Sequence, residues 1–230
     1  ILCGAGVAFK LVHALLKQGR NEDRKEADQV DLREGLDLVA LATVADMVPL
    51  IKENRILVDN GLKQMKQTVW KGLSALIQLV GDKSAVTSSV CGFQLGPRIN
   101  AAGRMGSPMK AFDLLMMDNL EVSRKQASIL DQLNRDRRNL EKRVYDEAIK
   151  QIEAYDVSEK LGIVASSSAW HLGVIGIVAA KVSRHFNRPS ILLVEDTDGM
   201  CKGSGRGIQG FDLLKALQAC ESQLKAYGGH

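Results

Sequence analysis

The chain has 230 residues, of which 45% are hydrophobic, 25% charged and 4% aromatic. That profile is typical of an ordinary globular protein with one large domain or two small ones. Lys and Arg number 31 against 27 Asp and Glu, a near balance that argues against binding of nucleic acid by bulk charge alone, so any such contact is expected to be local.

The first predicted element is a helix near the start of the chain. Residues 5–18 place Val7, Leu11 and Leu15 at helical spacing, which predicts an amphipathic helix. Gly19 follows as the expected C-cap of this helix, because glycine adopts the backbone conformation that ends helices.

A single carboxylate, Asp46, interrupts the apolar run of residues 36–50. An unpaired buried charge is costly, so this side chain needs a metal ion, an arginine or the solvent edge. A metal ligand and a helix-terminal aspartate at the surface are the two interpretations that remain open. Because hard divalent cations want several oxygen ligands, a metal at Asp46 requires co-ligands from outside this chain. Residues 55–80 then predict two short helices with a break around residues 70–72.

Glycine and proline set residues 92–108 apart and predict an irregular loop. Within it, Arg98 and Arg104 flank Asn100. Arginine forks suit phosphate oxygens, and small residues let a strand approach closely. A structural loop with solvated arginines is the alternative, and the residues alone do not decide between the two.

A long uninterrupted helix is predicted over residues 121–155, with a narrow apolar seam and a mostly charged remainder. Such a helix often bridges two domains. Its basic residues suit nucleic acid, but the acidic residues interleaved with them favour a solvated face.

Alternating strands and helices follow, and they predict a small α/β domain. The predicted strands are 161–167, 190–195 and 200–207, and the predicted helices are 174–186 and 211–227.

Two features of this domain suit an anion. His171 comes just before a predicted helix, where exposed N–H groups can meet a negative charge, although a helix-cap role is the alternative. Ser204 and Arg206 lie in a glycine-bearing segment, so that a hydroxyl and a guanidinium can form a phosphate cradle.

Neither export nor membrane insertion is indicated. The chain opens at Ile1 without a signal peptide, and no apolar run is long enough to span a bilayer. The four cysteines have the spacing of neither a zinc site nor a disulfide framework, which predicts reduced thiols in a cytosolic protein. The opening residues indicate the middle of a longer protein.

The order of seven blocks resembles that of the RecJ family of DHH phosphoesterases. The blocks are LCGAGVAFKL (2–11), ATVADMVPL (42–50), GPRINAAGR (96–104), LNRDRR (133–138), WHLGVIGIVA (170–179), GSGRGIQGFDL (203–213) and GGH (228–230). They run through essentially the whole chain, and the GPRINAAGR and WHLGVIGIVA blocks are highly specific.

The resemblance implies an α/β protein in three parts. These are the mostly helical C-terminal part of a DHH metal-binding domain (1–120), a linker helix (121–156) and a truncated DHHA1 substrate-binding domain (157–230). In this family two Mn²⁺ or Mg²⁺ ions are held by Asp and His side chains, and single-stranded DNA threads the cleft between the domains. Asp46 matches the last metal-ligand block, which implies a metal-binding and catalytic role. The Asp-His-His motif is expected before Ile1.

Substrate-binding roles are implied for eight residues: Arg98, Asn100, Arg104, Ser204, Arg206, Gly228, Gly229 and His230. The first three match a segment expected to line the DNA cleft, the next two a block expected to hold the 5′ phosphate, and the last three the start of a GGHxxAAG block. His171 matches the histidine that opens the DHHA1 helix and is assigned a catalytic role. Lys181 departs from the pattern, because RecJ sequences often carry arginine there.

The implied function is a 5′→3′ exonuclease specific for single-stranded DNA, which uses two divalent metal ions in DNA repair and recombination. The implied substrate is a single strand with a 5′ phosphate, in the cytoplasm and away from membranes, with a helicase or single-strand-binding protein as possible partner. With only one metal ligand, the chain by itself is expected to be inactive, its metal site empty. The alternative is a DHH phosphodiesterase for short oligonucleotides or cyclic dinucleotides, but those enzymes usually lack the GPRINAAGR block and the long helix.

Overall fold

The computed structural model describes residues 1–82, 85–154, 160–196 and 198–229. The chain divides into two compact units, Ile1–Asn134 (unit 1) and Arg135–His230 (unit 2). The architecture is mostly helical with a small three-stranded mixed sheet, so the predicted α/β class is confirmed. The predicted long helix is also present, and the boundary between the units falls within it.

Unit 1 is built from helices. They are α1 (Gly4–Asn21), α2 (Leu36–Ala45), α3 (Lys52–Met65), α4 (Lys71–Val80), α5 (Ser88–Val90), α6 (Gly96–Met105), α7 (Met109–Met116) and the first part of α8 (Leu120–Glu153). Two 3₁₀ turns, Lys25–Asp28 and Leu32–Gly35, precede α2, and a π-helical turn, Cys91–Leu95, leads into α6. The core is almost entirely aliphatic and includes the fully buried Leu76, Leu95 and Leu114.

Unit 2 contains the three-stranded sheet and the remaining helices. Its strands are β1 (Ile163–Ser166), β2 (Ser190–Glu195) and β3 (Cys201–Arg206), and its helices after α8 are α9 (Leu172–Phe186) and α10 (Leu213–Ala219), followed by a 3₁₀ turn, Glu221–Gln223. β2 pairs in parallel with β1 and antiparallel with β3, so α9 forms the crossover between β1 and β2. Val144, Ala148 and Ile152 of the α8 seam are buried in the core of this unit.

The prediction of an irregular loop at residues 92–108 is wrong. Cys91–Leu95 is a π-helical turn and Gly96–Met105 is α6. Pro97 is compatible with this helix because it lies in the first turn, where a backbone N–H has no intrahelical partner. Gly96 suits a close contact, because an added Cβ would lie 3.0 Å from the Ala45 Cβ atom of α2. The unusual composition therefore marks a close helix–helix contact.

The expectations for α1 and α10 also need correction. α1 continues past Gly19, which is buried inside the helix, where an added Cβ would lie 2.9 Å from the Cβ atom of Ala27. The apolar face marked by Leu11 and its neighbours is exposed among the described residues, with Leu11 itself 60% exposed. The helix predicted for 211–227 is shorter, because α10 ends at Ala219.

Candidate functional site

Asp46 lies at the surface, directly after the last residue of α2. Its backbone N–H donates to the Ala42 carbonyl at 2.9 Å, and the next residue, Met47, has a positive φ of 55° that turns the chain away from the helix axis. A carboxylate at the C-terminal end of a helix faces the negative end of the helix dipole. A bound cation relieves that repulsion, so the position of Asp46 fits a metal ligand.

The residues that the structure describes do not form a complete metal centre. Across the described ranges, no group of three or more His, Cys, Asp or Glu side chains is arranged to hold a metal ion. Because divalent cations of the Mg²⁺ type take about six oxygen ligands, with water supplying several, one carboxylate does not make a centre. The described residues thus offer one candidate ligand and do not fit a two-metal site.

The three polar candidates on α6 differ in their surroundings. Arg98 is 17% exposed, and its guanidinium donates from Nε to the Asp131 carboxylate of α8 at 2.9 Å and from Nη1 to the Gln94 carbonyl at 2.8 Å. Asn100 and Arg104 are exposed and lie one helical turn apart. Asn100 and Arg104 therefore share a surface, whereas Arg98 is directed into unit 1.

His171 is the N-cap of α9. Its imidazole Nδ1 accepts the backbone N–H of Gly173 at 3.0 Å, and the residue is exposed. In a neutral imidazole the nitrogen that accepts a hydrogen bond carries no proton, so the proton lies on Nε2. His171 consequently combines the helix-cap geometry with an N–H donor at the surface.

Ser204 and Arg206 lie next to α9. They are two residues apart on β3 and so face the same side of the sheet. The Arg206 Nη1 atom donates to the Ser204 Oγ atom at 3.2 Å and to the Gly205 carbonyl at 2.7 Å. A Cβ atom at Gly176 of α9 would lie 3.0 Å from Ser204 Oγ and 3.4 Å from Arg206 Nη2.

We call Gly176, Ser204 and Arg206 the cradle. The absence of a side chain at Gly176 lets α9 approach a hydroxyl and a guanidinium closely, and these two groups are donors that suit an anion. Sequence reasoning missed Gly176, although a glycine inside an otherwise apolar helix was a signal of close approach.

The remaining substrate candidates lie at the end of the chain. Gly228 and Gly229 are exposed, with no atom within 4 Å of an added Cβ. His230 lies outside the described residues.

Lys181 contacts another part of unit 2. Its Nζ atom lies 2.6 Å from Oε1 of the buried Glu141, and Oε2 of the same carboxylate accepts from Arg137 Nη1 at 2.9 Å. The position at which RecJ sequences often carry arginine is therefore used here to join α9 to α8.

Two buried titratable groups accompany unit 1. Burial raises the pKa of Asp37, although hydrogen bonds from the Thr68 hydroxyl, at 2.5 Å, and from the Leu38 backbone N–H, at 2.7 Å, act in the opposite direction. Burial also raises the pKa of the Cys91 thiol to about 11, so this thiol is unreactive at neutral pH. All four cysteines are free thiols.

None of the described helices combines the length and the hydropathy that a membrane span needs.

No family model matches the chain. Curated relatives nevertheless match it along its whole length. The single-stranded-DNA-specific exonuclease RecJ of Bacillus subtilis is 40% identical over 231 residues, and that of Escherichia coli is 38% identical over 247 residues. Each match covers 100% of this chain but only 28% and 42% of the relative, respectively, so the chain spans less than half of either protein.

Solved structures of RecJ proteins also resemble this chain. RecJ of Thermus thermophilus in complex with Mg²⁺ has a TM-score of 0.79 and 32% identity, covering 90% of this chain and 32% of that one. An exonuclease RecJ bound to manganese has a TM-score of 0.75 and 34% identity, covering 86% and 49%. The fold is thus the α/β fold of the corresponding part of these structures. The resemblance to RecJ exonucleases that the motifs indicated is confirmed over the whole chain.

Proposed function

We propose that this chain is the DNA-gripping part of a single-strand-specific DNA exonuclease that degrades strands from the 5′ end. The observation that carries the proposal is the cradle, where Ser204 and Arg206 lie against Gly176. A guanidinium and a hydroxyl suit the oxygens of a terminal phosphate. An enzyme that holds the 5′ phosphate cuts next to that end, which gives 5′→3′ polarity. The names of the relatives support single-stranded DNA as the substrate.

Other side chains would position the strand. Asn100 and Arg104 form an exposed polar surface on α6 that suits backbone phosphates, which orient a strand without reading its sequence. His171 would donate its Nε2–H to a phosphate oxygen, a catalytic contact in our assignment. We further propose that Gly228, Gly229 and His230 contact the substrate through the backbone and the imidazole. Arg98 would act by holding α6 in place.

We also propose a requirement for divalent metal ions, which the exposed carboxylate of Asp46 and the Mg²⁺ and manganese bound in the RecJ structures support. We propose that Asp46 is one ligand of a centre for two divalent ions, whose other ligands are not among the described residues. The 230-residue chain alone would then be inactive. The test is a nuclease assay with Mn²⁺ on 5′-phosphorylated single strands. Robust cleavage that disappears in Asp46→Ala would contradict this proposal.

The grip on DNA is tested by binding. Fluorescence anisotropy would compare a labelled single strand with a 5′ phosphate and the same strand with a 5′ hydroxyl, at two salt concentrations. We expect salt-sensitive binding that favours the phosphate. Arg206→Ala should weaken binding of the phosphorylated strand by about tenfold or more, the range for a lost charged hydrogen bond.

The matched control is Arg184→Ala. Arg184 lies in the last turn of α9, at the opposite end from His171, and its loss removes one positive charge from the same unit. If Arg184→Ala weakens binding as much as Arg206→Ala does, the contribution of Arg206 is its net charge and not a specific phosphate contact. If the chain does not bind DNA even at low salt, the proposed grip is wrong.

We place the parent enzyme in the cytoplasm, in DNA repair and recombination, with a helicase or a single-strand-binding protein as partner. The phosphodiesterase alternative has no observation in its favour, because the relatives described above are named as exonucleases.

A further inference from the structure

A buried tryptophan joins α8 to the residue that opens α9. Trp170 is 5% exposed, and its indole Nε1 donates to the Oε2 atom of Glu147 on α8 at 3.0 Å. An indole has one N–H donor and no acceptor, so this is the one hydrogen bond that the Trp170 side chain can donate. Without it, the N–H would be buried and unsatisfied, which is costly. The Glu147 carboxylate therefore satisfies the buried indole N–H of Trp170.

The segment around Trp170 is held from the α8 side a second time. The Gln151 Nε2 atom, one helical turn after Glu147, donates to the Ser166 carbonyl at 3.2 Å. Further along, the Ser167 Oγ atom accepts the Ala169 backbone N–H at 3.1 Å. The path from β1 to α9 is therefore fixed by hydrogen bonds immediately before the cap of α9.

His171 follows Trp170 directly, and its ring geometry depends on its backbone. Nδ1 can accept the Gly173 N–H only while the His171 backbone keeps its extended conformation, with φ −111° and ψ 126°. That hydrogen bond fixes the ring rotamer and leaves the proton of the neutral ring on Nε2. A displaced Trp170 would release the cap and allow both tautomers.

We propose that Glu147 is a positioning residue, which acts through Trp170 to hold His171 as an Nε2–H donor toward a phosphate oxygen of the DNA. This inference rests on the proposed function for the substrate contact of His171. The positioning itself rests on two hydrogen bonds, Trp170 to Glu147 and Gly173 to His171, which the peptide bond between Trp170 and His171 connects.

The test combines two measurements on the 230-residue chain and its variants. Nitrogen-15 NMR of the histidine rings reports the His171 tautomer, with His171→Gln to assign the signal, and anisotropy reports binding of a 5′-phosphorylated single strand. Glu147→Gln keeps an oxygen acceptor for the indole. Glu147→Leu removes it, and Trp170→Phe removes the donor while keeping an aromatic ring in the core.

We expect wild type and Glu147→Gln to show the Nε2–H form. Glu147→Leu and Trp170→Phe should each give mixed tautomers and about fivefold weaker binding, which corresponds to ~1 kcal/mol. The double variant Glu147→Leu/Trp170→Phe should bind DNA no more weakly than either single variant, because both changes break the same contact. Asp146→Leu, the matched control, removes a neighbouring exposed carboxylate and should behave as wild type.

An unchanged His171 tautomer in Glu147→Leu and in Trp170→Phe would overturn the positioning role, whatever the binding shows. If either variant fails to fold by circular dichroism, the other decides. If the wild type binds no DNA, the proposed function fails, and the tautomer measurement still decides whether Glu147 positions His171.

Discussion

Unit 2 holds its candidate phosphate contacts on two neighbouring elements, whereas unit 1 presents its candidate metal ligand outside any group of three or more possible ligands among the described residues. The cradle needs only β3 and α9, which pack against one another, and its members fall within residues 176–206. Asp46 stands at the end of α2 with no three-member ligand group around it in the described part of the chain. The candidate phosphate contacts thus come from one short stretch of the chain, whereas the single carboxylate of Asp46 does not by itself make a metal centre.

The same contrast appears in how the two units use arginine. Arg206 of unit 2 is exposed and is oriented by the Ser204 hydroxyl and the Gly205 carbonyl. Arg98 of unit 1 is paired with Asp131 and is mostly removed from solvent. Two arginines that both suit phosphate by sequence thus have different surroundings: Arg206 is exposed, and Arg98 is largely buried against Asp131.

The largest effect is expected where unit 1 packs most closely. A Cβ atom at Gly72 of α4 would overlap the Leu114 carbonyl oxygen of α7, which is backbone and cannot move aside. Gly72→Ala should lower the free energy of unfolding of unit 1 by about 3 kcal/mol or more, as overpacking does. Hydrogen exchange followed by mass spectrometry would measure the loss of protection in α4 and α7.

The matched control is Gly4→Ala, because no atom lies within 4 Å of an added Cβ at Gly4. We expect it to leave protection unchanged. If the contrast between the units holds, Gly72→Ala will also leave protection of β2 and α9 in unit 2 intact. Equal losses in both units would show that their stabilities are coupled.

A smaller loss is expected from Arg98→Ala. The variant removes a guanidinium that bonds to Asp131 and to the Gln94 carbonyl, and it leaves a largely buried carboxylate without this partner. Hydrogen bonds to charged groups contribute ~2 kcal/mol each, and the partial exposure of the pair places the total near that value. Urea denaturation would measure it.

Arg104→Ala is the control for Arg98→Ala, since it removes the same group from an exposed position on the same helix. We expect little change in its stability and weaker DNA binding. If Arg98→Ala instead leaves stability unchanged and abolishes DNA binding, Arg98 contacts DNA directly and does not act by holding α6 in place.

Local periodicity predicted much of this fold. The seam of α8 and the strands β1 and β2 are encoded by the spacing of apolar residues, which is visible without tertiary information. α6 was not predictable in this way, because Gly96 and Pro97 have the composition of a loop. Gly96 is explained only by its contact with Ala45, a residue 51 positions earlier.

The candidate sites show the same limit. His171 and Ser204 could be selected from local motifs, since a helix start and a glycine-bearing strand are local features. The link between Glu147, Trp170 and His171 could not, because it depends on the packing of α8 against the start of α9.

A moderate effect is expected at Gly176, and it acts on binding. An added Cβ would meet Ser204 Oγ at 3.0 Å and Arg206 Nη2 at 3.4 Å, so both side chains would shift within the cradle. Gly176→Ala should weaken binding of a 5′-phosphorylated strand by about fivefold, or ~1 kcal/mol. Because alanine favours helix over glycine, stability should rise by up to about 1 kcal/mol. A rise in both stability and affinity would contradict the assignment of Gly176 to the cradle.

The last effect is a pH dependence that belongs to unit 1. Burial raises the pKa of Asp37 above its ordinary value of 3.8, with hydrogen bonds from Thr68 and Leu38 acting against the shift. The folded state therefore holds this proton more tightly than the unfolded state does. The resulting stabilisation is complete below about pH 3.8 and is lost as the pH rises through the folded-state pKa.

Relative to Asp37→Asn, the wild type should thus lose free energy of unfolding as the pH rises from about 4 through the folded-state pKa of Asp37, by less than about 1.4 kcal/mol per pH unit, the limit for one proton. Urea denaturation at several pH values would measure the difference. Thr68→Val removes a donor that favours the charged carboxylate, so the loss should extend to higher pH. The opposite result is a free energy of unfolding that rises with pH in the wild type relative to Asp37→Asn. It would mean that the positive N-terminal end of the α2 dipole stabilises the charged Asp37 by more than burial destabilises it.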